Sequence, residues 1–278
     1  MSKILVVGAN GNLGKQIVFS LSQTVEVKAG YRDVSKATLQ KNVKNVSFDY
    51  DNISTYDNAL EGVEKVSFIS PPLDAYADTR VGPFLKKLKE KGIKRVLFVS
   101  VFGADGDENG PLRKIENILI NEEFDYTIIR PNFFMDNFSI GAFAPMMQEG
   151  QLALNAGNGK ASFISIEDIA NVASKTLLND THIRKEYNLT GPKALSLDEV
   201  LKTIYAHSEK KILYTDISND EMKKGLLQIG IPESSADYMV LILDYIKNDY
   251  LSSVTTDVEK VTGEKATSFD EFVKNSQW

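Results

Sequence analysis

Cysteine is absent from this 278-residue chain. That removes disulfides, thiolate zinc sites and cysteine nucleophiles from consideration. Histidine is nearly absent: His182 and His207 stand far apart, so a histidine metal site or triad has no material to be built from, and both read as surface or helix-face residues. No metal is expected. Lysine and arginine form no dense block and the formal charge is −6. Sequence-independent nucleic-acid binding needs clustered cations to displace phosphate counterions, so nucleic acid is not expected as a partner. No apolar run reaches the roughly 18 residues of a transmembrane helix. The opening MSKILVVGANG lacks the apolar core and small-residue cleavage site of a secretory signal. A soluble, cytoplasmic protein without a membrane span is the expectation. Oligomeric state has no signal in the sequence.

What is present is an ordinary folding composition, 42% hydrophobic and 25% charged, long enough for one large or two smaller domains. Short β-branched runs alternate with helical patterns through the first half. Strands are predicted at residues 3–7, 25–31, 43–48, 63–70, 94–100 and 125–130, with helices at 13–21, 56–60, 84–91 and 112–121. Pro83 should either begin its helix or kink it. Such alternation implies an α/β fold, a Rossmann-type doubly wound parallel sheet, with ligands beyond the carboxyl ends of its strands. The pattern changes after Pro131. Asn132–Gly150 is rich in aromatic residues and methionine, and the chain beyond Ser196 is mostly helical with one strand expected at Lys211–Tyr214. We therefore expect a nucleotide-binding domain at residues 1–154 and a smaller, mostly helical C-terminal lobe at 155–278. Short strands near 162–165 and 186–189 are expected to return to the main sheet.

The sharpest motif is Gly8-Ala9-Asn10-Gly11-Asn12-Leu13-Gly14, between a strand and a helix. Gly8 permits a tight turn, Gly11 lets backbone approach a pyrophosphate, and Gly14 lets helix and strand pack closely. The helix N-terminus then offers N–H groups to the phosphates. The spacing is GxxGxxG rather than GxGxxG, but its strand–turn–helix setting points to a dinucleotide. At the end of the second strand, Arg32 with Lys36 one turn on suits the 2′-phosphate of NADP, while Asp33 would either hold the ribose of NAD or cap the next helix. NADPH is thus the preferred cofactor and NAD the alternative. Asp49 and Tyr50 follow the third strand, where an adenine would lie, or serve plain turn chemistry. Ser70, Pro71 and Pro72 end the fourth strand as a stiff wall beside the nicotinamide ribose.

These residues resemble a known family. GANGNLG, the YR after the second strand, FDYDN after the third and LFVS in the fifth are similar to atypical short-chain dehydrogenases/reductases. FDYTIIRPNFFMDNF at Phe124–Phe138, FISIEDIANVA and VTGEKATSFDEFV narrow the resemblance to the NmrA-like group, which includes NAD(P)H:quinone oxidoreductase-like enzymes and redox-sensing regulators. The resemblance implies that Gly8 to Gly14, Arg32, Asp49, Ser70 and Ser100 line the cofactor. It also implies that Pro131, Phe133 and Phe134 lie near its nicotinamide end, although the two phenylalanines fit core packing equally well.

The chain departs from the wider family in one respect. The Tyr-x-x-x-Lys proton relay is missing: its positions fall at about Glu108 and Leu112, and Lys114 lies off register on another helix face. Ser100 sits at the strand end that carries or precedes the family serine, and no catalytic residue can be assigned. Glu116, one turn beyond position 112, is either a polar contact in the site or an ordinary salt-bridged helix residue. Alcohol oxidation and epimerisation need a positioned base; quinone reduction does not strictly need one. The expected function is NAD(P)H-dependent reduction of a quinone or similar flat conjugated carbonyl. The alternative is a non-catalytic NAD(P)-binding redox sensor. An isoflavone-reductase-like reading suffers because that group's lysine also maps to Leu112.

Overall fold

Buried, β-branched runs build the main sheet. β1 (Lys3–Val7), β2 (Glu26–Tyr31), β3 (Val43–Ser47), β4 (Lys65–Ile69), β5 (Arg95–Val99) and β6 (Asp125–Pro131) follow in chain order. Later come β7 (Gln151–Leu154), β8 (Lys160–Ala161), β9 (Lys185–Leu189), β10 (Leu195–Ser196) and β11 (Leu213–Asp216). In the computed structural model, which describes residues 3–278, seven of these strands form one sheet in the order β3-β2-β1-β4-β5-β6-β9. Neighbours from β3 through to β6 are parallel. The order reverses beside β1, the switch point at which doubly wound sheets open a crevice.

The helices are α1 (Asn12–Ser22), α2 (Tyr56–Leu60), α3 (Ala77–Glu90), α4 (Pro111–Asn121), α5 (Ala144–Gln148), α6 (Ile166–Leu178), α7 (Leu197–Ser208), α8 (Asn219–Gln228), α9 (Glu233–Lys247), α10 (Asp257–Thr262) and α11 (Phe269–Asn275). On one face of the sheet, Leu5, Val7, Phe68 and Phe98 pack with Tyr56, Phe84, Leu88 and Ile115 from α2, α3 and α4 in a single core. Ile4 and Val6 point to the opposite face and are fully buried, as right-handed crossovers require when helices cover both sides. Pro83 neither begins nor ends its helix. It lies inside α3, which starts at Ala77, because the apolar positions Ala77, Val81, Phe84 and Leu88 hold one buried face across it.

The chain divides into two compact units. Unit 1 is Met1–Pro72, Tyr76–Arg130 and Ile169–Asn188; unit 2 is Leu73–Ala75, Pro131–Asp168 and Leu189–Trp278. The seam therefore falls at Pro131, not at residue 154, because the chain leaves the first unit at the end of β6 and comes back with α6 and β9. The stretch near 162–165 forms a single bridge, Phe134 to Ile164, outside the main sheet, whereas the 186–189 stretch lies in β9 beside β6. Within unit 2, β11 pairs in parallel with β7 and β10 antiparallel with β8. Its helices α7, α8 and α11 each start with a reciprocal capping box, Ser196 with Glu199, Ser218 with Glu221 and Ser268 with Glu271.

Unit 1 buries charges and pairs them. The Lys28 ammonium, on β2, donates to the carbonyls of Asn58, Ala59 and Glu61 at 3.0, 3.3 and 2.6 Å, closing the C-terminal end of α2. Arg130, on β6, is the centre of a larger network. Its Nε and Nη2 meet Glu116 Oε1 and Oε2 at 2.9 and 2.7 Å, Nη2 also meets Glu186 at 2.6 Å, and Nη1 meets Asp105 at 3.2 Å. Burial works against the guanidinium charge, but the carboxylates of Glu116, Glu186 and Asp105 together outweigh it and hold the arginine more firmly protonated than usual. Glu116 is thus the salt-bridged alternative of the two considered from sequence, though fully buried rather than solvated.

Removing one partner of such a network leaves a buried, uncompensated charge. Arg130→Met is expected to destabilise the protein by about 3 kcal/mol in urea denaturation, and Arg130→Met with Glu116→Leu to recover a substantial part of that loss. Additive losses in the double variant would show that the pair is not coupled.

Candidate functional site

The turn after β1 is shaped by two glycines that touch. Gly8 has φ +87°, in the left-handed region, and a Cβ there would lie 3.3 Å from Ile69 Cβ at the end of β4. A Cβ on Gly14 would lie 2.0 Å from the Gly8 carbonyl oxygen, a distance no side chain tolerates. Gly11 donates its N–H to Gly8 O at 3.1 Å and stands as the N-cap of α1 without any side-chain cap, and the first turn holds no acidic residue. The N–H groups at the start of an 11-residue helix therefore face the turn with a partial positive charge and no carboxylate to neutralise it. An anionic diphosphate fits this cradle. Asn10, Asn12 and Leu13 complete the loop, with Leu13 buried and Asn10 and Asn12 exposed.

At the end of β2, Asp33 accepts from Ser35 N at 3.0 Å and Ser35 Oγ at 2.6 Å, capping the short 3-10 turn Val34–Lys36. Those hydrogen bonds, with Lys36 Nζ 3.8 Å away, hold its carboxyl below the usual range. Asp33 is a capping residue here. Arg32 is exposed and makes no ion pair among the described residues. Beyond β3, the Asp49 carboxylate accepts from Asp51 N at 3.1 Å, which is turn chemistry. Tyr50 is held within unit 1: its hydroxyl donates to Ile69 O at 3.1 Å and its ring lies edge-on to Phe48 and Phe84. Burial pushes its phenol well above the ordinary value. Tyr50 is half-buried, and these contacts fix its position after β3.

Ser70 and Pro71 are half-buried after β4, and Pro72 is exposed. Ser100, directly after β5, is more than nine-tenths buried. Its backbone N–H donates to Ile129 O at 2.9 Å, yet its hydroxyl has no hydrogen-bond partner. A buried, unmatched hydroxyl costs about 1–3 kcal/mol unless something bonds it, and this one stands at a strand end in the sheet region where a nicotinamide ring would arrive. The uncapped cradle and the orphaned Ser100 hydroxyl both fit a dinucleotide.

At and just before the start of α4 the relay positions carry other chemistry. Glu108 binds Arg113 and Asn117 at 3.0 and 2.9 Å. Leu112 packs against the hydrophobic core. Lys114 Nζ lies 4.0 Å from Asp78. Within unit 2, Pro131 is buried and Phe133 and Phe134 half-buried. Phe133 stacks on Phe143 at 5.7 Å and meets Phe163 edge-on at 6.1 Å, so at least one of its faces is packing. The residue sequence reasoning passed over is Asn132. It is buried, and its side-chain amide donates to Ser162 Oγ at 2.7 Å and to Leu251 O at 2.9 Å, fixing the course of the aromatic segment. A polar residue amid PNFF was the available signal. Of the histidines, His182 pairs with Tyr187 at 2.7 Å and His207 with Asp270 at 2.6 Å. No cluster of metal-ligating side chains occurs among the described residues, and no helix there is long and apolar enough to cross a membrane.

The NAD(P)H-binding family profile matches residues 8–180. The chain is 33% identical to the prestalk A differentiation protein A of Dictyostelium discoideum, over 98% of this chain and 92% of that protein. It is 32% identical to the NAD(P)H azoreductase of Xenophilus azovorans, over 98% and 96% respectively. Among solved structures, the NADPH complex of the NADPH-dependent quinone oxidoreductase QOR2 of Escherichia coli superposes with a TM-score of 0.84 at 25% identity, over 97% of this chain and 98% of that one.

Gly14→Ala tests the cradle. The new methyl group must push α1 off β1, so NADPH affinity is expected to fall at least about tenfold in fluorescence titration and the melting temperature to drop. Unchanged affinity would show that the cradle does not hold the phosphates. With its sheet order, glycine cradle and family match in place, the chain belongs to the NAD(P)H-binding family and is an NAD(P)H-dependent oxidoreductase.

Proposed function

We propose that this protein is an NADPH-preferring reductase of a quinone or similarly flat, conjugated acceptor, working without a tyrosine–lysine proton relay. The observation that carries the reading is the environment of α4, where Leu112 packs into the core at the expected lysine position and Glu108 is bound by Arg113 and Asn117. No group there can protonate an alkoxide as hydride arrives. Acceptors that take up hydride readily and exchange their proton with water are the ones such a site can serve.

The residues divide the remaining work. Gly8, Gly11 and the first turn of α1 receive the pyrophosphate. Arg32 and Lys36 receive the 2′-phosphate, a role supported by Asp33 being occupied with Ser35. Asp49 lies on the adenine side, Ser70, Pro71 and Pro72 wall the ribose, and the Ser100 hydroxyl bonds the nicotinamide end or the acceptor oxygen. Pro131, Phe133 and Phe134 contribute apolar surface to the acceptor. When bound, the reduced nicotinamide supplies the hydride. NADPH-dependent enzymes acting on quinones and azo compounds among the similar proteins support the same class. The cytoplasm is the compartment this reading implies.

Two measurements test it. Stopped-flow mixing of the NADPH complex with benzo- and naphthoquinones is expected to oxidise the cofactor well above the uncatalysed rate. Tight NADPH binding with no oxidation across the panel would overturn the reading and leave a cofactor-binding sensor. Arg32→Glu should weaken NADPH binding by about 10- to 100-fold while leaving NADH binding unchanged or improved, since it exchanges an attraction to the 2′-phosphate for a repulsion. Equal loss for both cofactors would remove Arg32 from that role.

A further inference from the structure

Three asparagines precede a glycine in this chain, Asn10, Asn109 and Asn158, and all three are exposed. An Asn-Gly pair readily loses its side-chain amide, because the glycine carries no Cβ to obstruct attack by its own backbone nitrogen. The three pairs differ in the room around them. A Cβ on Gly159 would lie 1.9 Å from Ile246 O, and one on Gly110 would lie 3.1 Å from Asp107 Oδ2. A Cβ on Gly11 would meet nothing nearer than Gly8 O, at 3.6 Å. All three glycine N–H groups are hydrogen-bonded: Gly11 to Gly8 O at 3.1 Å, Gly110 to Asp107 O at 3.0 Å and Gly159 to Ala156 O at 3.4 Å. Space, rather than these bonds, therefore sets Asn10 apart. Its side chain makes no hydrogen bond among the described residues, so nothing holds the amide away from the backbone.

Its position gives this chemistry a consequence. Asn10 directly precedes Gly11, the N-cap of α1, where no side chain caps the helix and the first turn holds no acidic residue. Ring closure joins Gly11 N to Asn10 Cγ, expels the amide nitrogen as ammonia and removes the N–H that Gly8 O accepts. Water then opens the ring at one of its two carbonyls. Opening at Cγ leaves aspartate. Opening at the main-chain carbonyl leaves isoaspartate, with the backbone lengthened by a methylene. Either product sets a carboxylate beside the helix N-terminus, where the same N–H groups and dipole that suit a diphosphate favour it. The protein's own negative charge then competes with the cofactor for those donors and repels its phosphates.

We propose that Asn10 is a deamidation site: its conversion to aspartate or isoaspartate closes the glycine cradle to dinucleotides, and a bound cofactor, by holding the turn around Gly11, protects the amide. This rests on the cradle receiving the pyrophosphate.

The full-length protein is held in warm, mildly alkaline buffer with and without replenished NADPH, and peptide mass mapping follows the amide at each Asn-Gly pair. Without cofactor, Asn10 is expected to convert faster than Asn109 and Asn158. NADPH at about 100 times its Kd should slow conversion of Asn10 at least about tenfold and leave the other two unchanged. Asn10→Asp should weaken NADPH and NADH alike, by about tenfold in fluorescence titration, because both carry the pyrophosphate. It should not lower the melting temperature of the cofactor-free protein, since the new carboxylate faces helix donors that nothing else caps. Asn10→Gln, whose longer side chain cannot close the same small ring, should keep its starting binding capacity through the incubation. An Asn10 amide that outlasts the other two, equal rates with and without NADPH, or an Asn10→Asp variant with unchanged affinity would overturn the proposal. Where Gly14→Ala weakens binding and Asn10→Asp does not, only the deamidation switch falls; where neither does, the cradle reading falls with it.

Discussion

The contact on which the nucleotide-binding unit depends is the approach of the first turn of α1 to the carbonyl of Gly8. A Cβ at Gly14 would stand 2.0 Å from that oxygen, so the helix can lie where it does only if residue 14 has no side chain. The same geometry demands that Gly8 turn sharply, which its φ of +87° accomplishes. Because a Cβ on Gly8 would meet Ile69 at 3.3 Å, the turn is also pressed against the end of β4, across the switch point of the sheet. Three constraints therefore fix one direction: the N-terminus of α1, uncapped by any side chain, aims along the strand ends. A fold tolerates uncapped helix donors at a cost unless an anion meets them, which makes the missing cap as informative as the glycines.

Unit 1 treats its buried polar groups in two contrasting ways. Arg130 is surrounded by Glu116, Glu186 and Asp105, and Lys28 by three carbonyls. Such matching rigidifies β6 against α4 and β9, the scaffold on the far side of the sheet from β3. Ser100 belongs to the other group, with Ser67 and Ser174: its buried hydroxyl is left without a partner, and it stands one residue beyond β5. Its position at the carboxyl end of a strand, where doubly wound sheets open their crevice, is what sets it apart from the other two.

The sheet was legible because parallel strands buried on both faces read as continuous apolar runs, and β1 through to β6 fall within two residues of their expected bounds. The division into units was only half legible: the change of pattern after Pro131 is visible in the sequence, but nothing in the composition marks the chain's return to the first unit at Ile169. The second unit was under-read for a different reason: its helix starts at Ser196, Ser218 and Ser268 carry Ser-x-x-Glu signatures that pattern matching for strands passes over. Tyr50 shows the limit for side chains. Sequence places an aromatic beside the adenine, but only three dimensions reveal that its hydroxyl is already given to Ile69 O and its ring to Phe48 and Phe84. Asp33 is the converse case, where two open readings are reduced to one by its hydrogen bonds to Ser35.

A dehydrogenase that must deprotonate an alcohol is bound to its relay, because the proton leaves a group of high pKa in a site that excludes water. Hydride addition to an electron-poor conjugated system has no such requirement: the negative charge delivered is spread over the acceptor, or cancels a positive one. On the proposed reading the chemistry is narrowed without being abolished and α4 is left to packing: Leu112, partly buried, lies against the core, and Glu116 binds Arg130. The discriminating burden then passes from proton transfer to binding and to flat apolar surface.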